Sequence, residues 1–167
     1  MADLKRGKNM SGFSLPLTRL VHENLSVVMT FAYSQRPLAS MLERRVLGPD
    51  KYQEKALFEL SAARAEKACL ELALFLRMVD DEEKISEYNA ATKTRLPCGK
   101  LVMKDGTEKE LTLRDASNKI IHCSRLEWDL SREPDPALIS YSRDDEKWLR
   151  AEIDLVALSF MCGRLMS

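Results

Sequence analysis

The chain has 167 residues, the length of one domain at roughly 150 residues each. Its 26 basic and 26 acidic residues cancel, and 45% of its residues are hydrophobic. This composition excludes a disordered chain and a protein that grips nucleic acid through an overall basic surplus. Six glycines and six prolines exclude a fibrous or low-complexity protein.

The first half of the chain shows mainly helical spacing. Residues 1–14 are expected to form a flexible arm, and residues 15–95 a helical part. Apolar residues recur at three- and four-residue steps from Leu17 to Met29, which predicts an amphipathic helix that Ser14 and Pro16 can open. Pro37 is expected to stop or bend this helix, and a short helix over Leu38–Val46 follows.

A second long helix is predicted from a cap at Asp50 to about Val79. Its stretch Ala68–Val79 is apolar almost all round, which indicates burial on several sides or against a partner subunit. The acidic run Asp80–Glu83 is then expected to be the solvated N-terminal cap of a further helix over Glu83–Ala91, because acids favour that end of a helix.

Residues 98–167 show shorter alternating runs. Leu101–Met103 and Glu108–Leu111 predict a β-hairpin, and Asp105-Gly106 between them is typical of a type I′ turn. Thr112 and Asp115 predict a capped helix to about Cys123. Three further strands and a last helix that Asp154 caps are predicted over these ranges: Arg125–Leu130, Ala137–Ser142, Trp148–Ile153 and Leu155–Leu165.

These elements predict a single α+β domain, mainly α, over residues 1–167. A helical bundle forms its N-terminal part, and a small antiparallel β element with a final buried helix forms its C-terminal part. Helices should account for more than half of the chain.

Arg114, Asn118 and His122 follow one another at four-residue steps on the helix that Thr112 opens. Four steps return to within about 40° of the start, so the three side chains share one stripe. A guanidinium binds phosphate with a fork of donors, an amide orients a ring or a water, and an imidazole moves a proton near neutral pH. The stripe therefore suits a phosphate-containing substrate.

The run from Ser117 to His122 resembles the RNxxxH motif of HEPN domains, with Asn118 and His122 at the matching positions. Ser117 stands where the family has arginine, and Arg114 is the nearest arginine upstream, with seven residues between it and His122. The resemblance implies a helical protein of a toxin–antitoxin, CRISPR or other anti-phage system. It also implies metal-independent RNA cleavage in a site that a second subunit completes.

The same side chains also fit a structural role, with Arg114 paired with an acid, Asn118 bonded to a loop carbonyl and His122 at a helix-to-strand corner. Two functions stay open. One is an RNA-acting, homodimeric protein with Arg114, Asn118 and His122 as catalytic residues and no cofactor. The alternative is a non-catalytic protein-interaction factor, such as an immunity, antitoxin or defence accessory protein.

The four cysteines are scattered, which predicts reduced and mostly buried thiols rather than a disulfide framework or a zinc site. They are Cys69, Cys98, Cys123 and Cys162. No metal site is expected from the spacing of the ligand-type residues. No apolar run approaches the ~20 residues of a membrane span. A cytoplasmic protein without a membrane partner is therefore expected.

Overall fold

The computed structural model describes residues 14–45, 51–92, 96–143 and 147–165. The predicted arm, apart from Ser14, and the predicted cap Asp50 lie outside these residues. The fold is α+β and mainly α, with helices in the first half and a five-stranded antiparallel sheet in the second. The fold class predicted from the hydrophobic spacing is therefore confirmed.

The first helix, α1, covers Ser14–Arg45 and contains Pro37 within it. The prediction of a separate helix after Pro37 is wrong. Tertiary contacts hold the turn that precedes the proline: Tyr33 Oη donates to Asp135 Oδ1 at 2.7 Å, and Arg36 Nε donates to the Leu130 carbonyl at 2.8 Å. Proline removes one backbone N–H donor from a helix. The contacts of Tyr33 and Arg36 anchor the helix at this point, the Pro37 side chain is exposed, and the helix continues through it.

The second long helix has three parts: α2 (Lys51–Glu54), a π-helical segment (Lys55–Glu59) and α3 (Leu60–Glu83). It therefore ends at Glu83 and not near Val79. Lys84, whose φ of 54° is left-handed, separates α3 from α4, which covers Ile85–Ala91. The acidic run Asp80–Glu83 is thus the last turn of α3. The prediction that it caps the next helix is wrong except at Asp80, whose carboxylate accepts the Ser86 N–H in α4.

Five strands follow: β1 (Gly99–Met103), β2 (Glu108–Glu110), β3 (Arg125–Asp129), β4 (Ala137–Tyr141) and β5 (Trp148–Asp154). They form one sheet in the order β2-β1-β5-β4-β3, with every neighbouring pair antiparallel. Two helices belong to this half, α5 (Leu113–Ile121) and α6 (Leu155–Leu165). The predicted strands and helices of this half are all present.

The hairpin between β1 and β2 has a different turn from the predicted one. Gly106 has a φ of +82°, but Asp105 does not have a positive φ, which a type I′ turn requires at both central residues. Instead, the Gly106 N–H donates to the Met103 carbonyl at 3.1 Å, and Asp105 Oδ1 accepts from the Thr107 N–H at 2.9 Å. The aspartate side chain thus organises the turn by a local hydrogen bond.

One hydrophobic core joins the two halves. α1 packs against α3, α3 packs against α5, and α5 contacts β4 and β5. The largest fully buried side chains of this core come from both helices and strands, and include Leu72, Leu76, Leu138, Ile153 and Leu155. Helix α5 therefore packs between α3 and the strands β4 and β5.

All four cysteines are free, and three of them are buried. Burial and the nearby Asp154 carboxylate raise the pKa of Cys98 to about 12. Burial also raises the pKa of Cys162 to about 12. These thiols therefore stay protonated at neutral pH and pack as small apolar groups. Among the helices that the structure describes, none combines the length and apolar character needed to cross a membrane.

Candidate functional site

Helix α5 carries the three candidate residues and is held by a cap at its N-terminus and by its buried face. Thr112 caps it, because the Oγ1 of this residue accepts the Asp115 N–H at 3.1 Å. Ala116, Ser117 and Ile120 face the core and are buried. Ser117, which stands at the position of the HEPN arginine, is 2% exposed and donates from Oγ to the Leu113 carbonyl at 3.0 Å. The side chain at the position of the family's arginine therefore points into the core of this protein.

Arg114, in the first turn of α5, lies against the end of α3. Its Nη1 forms ion pairs with Asp80 Oδ2 and with Asp81 Oδ1, the latter at 2.8 Å. The side chain of Asp80 is 2% exposed, whereas that of Asp81 is 54% exposed. The structural alternative predicted for Arg114, pairing with an acid on a neighbouring element, is thus present.

Asp80 also connects α3 to α4. Its Oδ1 accepts the backbone N–H of Ser86 at 2.7 Å, in the first turn of α4. Burial by itself raises the pKa of Asp80, but the hydrogen bonds from Arg114 and Ser86 outweigh burial and lower that pKa below its usual value. The acid at the start of the run is therefore buried and ionised, and the prediction of a solvated residue is wrong at this position.

Asn118, one turn further along α5, contacts a second arginine of α3. Arg77 Nη1 donates to Asn118 Oδ1, and Arg77 Nη2 lies 3.8 Å from Asp81 Oδ2. Asp81 thus bridges two arginines, one on each helix. The predicted partner of Asn118, a loop carbonyl, is replaced by this guanidinium on α3.

His122 follows the last residue of α5 and is exposed. Its backbone N–H donates to the Asn118 carbonyl at 3.0 Å, which closes the last turn of the helix. Its side chain lines an open cleft of about 310 Å³ between α5 and the ends of β4 and β5. The other lining residues are Asn118, Lys119, Ser142, Arg143, Lys147 and Trp148.

The cleft at the C-terminal end of α5, which we call the basic cleft, gathers Lys119, His122, Arg143 and Lys147. Within the part of the chain that the structure describes, no carboxylate forms an ion pair with any of these four side chains. Residues 144–146, between Arg143 and Lys147 in the sequence, are acidic and lie outside the described residues. The described walls of the cleft are therefore cationic.

Two contacts hold the cationic side chains in place. The Lys119 ammonium lies 4.3 Å from the centre of the Trp148 ring, a cation–π distance, and Arg143 Nε donates to the Cys123 carbonyl at 2.8 Å. Burial lowers the pKa of Lys119, although the charge of Asp115 opposes this effect. Local contacts thus hold the charges of Lys119 and Arg143 in the cleft.

The spacing along α5 identifies Asn118, His122 and Arg114 but not the residues that surround them. Arg143 follows the end of β4, Lys147 precedes β5 and Trp148 begins it, and the order of the sheet brings these residues to α5. Arg77, Asp80 and Asp81 lie on α3, and only their charge at helical spacing from one another signals a shared face. Among the described residues, no group of three or more His, Cys, Asp or Glu could hold a metal ion.

Comparisons of the chain with known families, with curated proteins and with solved structures find no match in any of the three.

Proposed function

We propose that the protein binds RNA in the basic cleft, with the phosphate backbone held by Lys119, Arg143 and Lys147. The observation that carries this proposal is the meeting of three cationic side chains and one imidazole in a single open cleft. Phosphate contacts by lysine and arginine supply most of the affinity for nucleic acid and do not require a basic surplus over the whole chain. A chain of zero net charge can therefore bind RNA through a local cluster.

His122 is the group in the cleft that suits proton transfer near neutral pH. In the reaction implied by the HEPN resemblance, a 2′-hydroxyl gives its proton to an imidazole and attacks the adjacent phosphorus. The bond from phosphorus to the 5′-oxygen breaks, the 5′-oxygen leaves with a proton, and a 2′,3′-cyclic phosphate remains. The exposure of His122 and its position in the lining of the basic cleft support this role. We therefore assign proton transfer in metal-independent cleavage to His122.

Arg114 receives a different assignment from the one that the resemblance implies. To steady a phosphate, its guanidinium would have to leave Asp80 and strand a buried carboxylate, which is strongly unfavourable. We therefore assign Arg114 to holding α5 against α3, and the charge stabilisation in the cleft to Arg143 and Lys147.

Binding is tested by fluorescence anisotropy with a labelled single-stranded RNA. The variant Arg143→Glu with Lys147→Glu should weaken binding by about tenfold or more, because it reverses two phosphate contacts. The matched control is Lys55→Glu with Arg132→Glu, which changes the net charge equally at exposed positions outside the cleft. Equal affinities for the two double variants would contradict the proposed site.

Cleavage is tested separately by incubating RNA with an excess of the protein in EDTA, beside the variant His122→Ala. We expect products with the wild type and none with the variant, since a metal-independent route needs the imidazole. Binding without cleavage by the wild type would restrict the function to RNA binding and remove the catalytic role of His122.

A second candidate function is self-association, with the partner being another copy of this chain. The observation that favours it is an exposed apolar stripe on α3: Leu70, Leu74 and Met78 are 42%, 43% and 45% exposed at four-residue spacing. The apolar character of Ala68–Val79 predicts either full burial or a partner subunit, and this stripe is the side that the chain itself leaves open. Light scattering of the wild type and of Leu74→Glu tests it, with a dimer expected only for the wild type.

A further inference from the structure

We propose that Arg77 acts as a positioning residue that fixes the side-chain amide of Asn118 so that its NH₂ group donates to a phosphate oxygen of RNA. This inference rests on the proposed function and names a further contact in the same cleft. Asn118 is the hydrogen-bond donor to the phosphate. Arg77, which lies outside the motif on α3, holds the Asn118 amide in the orientation that this contact needs.

The first step concerns which end of the amide faces Arg77. A guanidinium has five N–H donors and no acceptor. The atom of Asn118 that faces Arg77 Nη1 must therefore be the carbonyl oxygen Oδ1, and the structure has this hydrogen bond. A flipped amide would set N–H groups of both residues against each other, so Arg77 excludes the other orientation.

The second step concerns the NH₂ group that remains. Asn118 is half-buried and is one of the residues that line the basic cleft, together with Lys119 and His122. Among the described residues, the side-chain hydrogen bond of Asn118 is the one that its Oδ1 accepts from Arg77, and no protein acceptor pairs with its Nδ2. A donor with two N–H groups thus remains available beside three cationic side chains, where an acceptor oxygen with negative charge is the complementary ligand.

The third step concerns what keeps Arg77 in place. Its Nη2 lies 3.8 Å from Asp81 Oδ2, and Asp81 in turn pairs with Arg114 at 2.8 Å. The Arg77 side chain is 27% exposed, and its Nε is buried without a hydrogen-bond partner among the described residues. The guanidinium is therefore engaged through its terminal nitrogens, and α3 presents it to α5 as a fixed donor.

The decisive variant is Asn118→Asp, which has the same shape. Its carboxylate still accepts from Arg77, so the fold should be as stable as the wild type or more so. The NH₂ group, however, becomes an oxygen, and RNA affinity should fall by about tenfold or more. Asn118→Ala removes the donor without adding charge, and a several-fold loss is expected there too.

A nuclear magnetic resonance readout separates a lost donor from added charge. In ¹⁵N-labelled protein, the pair of side-chain amide signals that is missing from Asn118→Asp belongs to Asn118, and this pair should shift when RNA saturates the wild type. In Arg77→Met the carbonyl loses its partner and the amide can turn, so the shift should shrink and RNA affinity should fall several-fold.

The outcomes are distinguishable from those for the proposed function. If the wild type binds RNA but the Asn118 amide signals do not move and Asn118→Ala binds equally well, this inference is overturned while RNA binding stands. If Arg77→Met folds and leaves both the shift and the affinity unchanged, Arg77 has no positioning role. If the wild type does not bind RNA at all, the proposed function fails and the inference fails with it.

Discussion

The two ends of α5 use their charged residues in opposite ways. At the start of the helix, Arg114 is paired with Asp80 and Asp81, and Asp80 also accepts the Ser86 N–H. At its end, Lys119 and His122 meet Arg143 and Lys147, and among the described residues no carboxylate forms an ion pair with them. One end is electrostatically satisfied, and the other leaves positive charge without a counter-ion in the described structure.

This difference predicts that one helical stripe carries structural residues at the start of α5 and ligand-binding residues at its end. Ion pairs with a buried carboxylate stabilise a contact between helices, because neither charge can leave without stranding the other. Like charges gathered in an open cleft give no such stability and favour an anionic ligand instead. Mutations at the two ends should therefore differ in kind: changes at the start should affect stability, and changes at the end should affect ligand binding.

The largest expected effect is at Asp80. Asp80→Ala removes the buried partner of Arg114 and the cap of α4, and should lower the free energy of unfolding by about 3 kcal/mol. Asp81→Ala is the matched control, because Asp81 is more than half exposed and should cost less than about 1 kcal/mol. Urea denaturation measures both, and equal losses would show that burial of Asp80 does not matter.

The same residue predicts a dependence on pH. The lowered pKa of Asp80 in the folded state means that its stabilising effect is complete above the ordinary carboxyl pKa of about 3.9 and is lost as the pH falls through the folded value. The difference in unfolding free energy between the wild type and Asp80→Asn should therefore be constant near neutral pH and shrink below pH of about 4. A constant difference down to strong acid would refute the role of the ionised carboxylate.

A smaller effect is expected at the cap of α5. Thr112→Ala removes the Oγ1 acceptor of the Asp115 N–H and should destabilise the protein by about 1 kcal/mol. Thr112→Ser keeps the acceptor and should change stability little. Because the cap also sets the direction of α5, thermal unfolding of both variants checks whether the start of the helix is held by the cap as well as by Arg114.

The smallest effect on stability is expected in the basic cleft. Arg143→Gln with Lys147→Gln should change the free energy of unfolding by no more than about 0.5 kcal/mol, because both side chains are exposed and neither has a buried carboxylate partner among the described residues. The same double variant should weaken RNA binding and reduce its dependence on salt. A stability loss as large as that of Asp80→Ala would remove the distinction between the two ends of α5.

Much of the fold is predictable because the signals are local. The cap at Thr112, the strand β3 and the cap at Asp154 depend on residues within a few positions of one another, and each of these elements is confirmed. Pro37 gives a misleading local signal, since contacts that lie about a hundred residues away along the chain hold the helix around it. Asp105-Gly106 correctly predicts a hairpin turn but the wrong turn type.

For the candidate site, the four-residue spacing alone places Arg114, Asn118 and His122 on one stripe. It cannot separate their roles, because the partners that decide those roles come from α3 and from the ends of two strands. The local charge of the acidic run at the end of α3 predicts a solvated cap, and that prediction misses the buried Asp80. Burial depends on what packs against a residue, and sequence neighbours do not reveal it.

The sequence by itself determined the α+β class, the position of α5 and the residues that share its exposed stripe. These features follow from the side-chain periodicities of helices and strands, which are visible within a short stretch of sequence. Only the tertiary structure decided that Arg114 pairs with Asp80, that Arg77 donates to Asn118 Oδ1, and that Arg143 and Lys147 line one cleft with His122. The sheet order and the packing of α3 bring these groups together, and both depend on contacts between residues far apart along the chain.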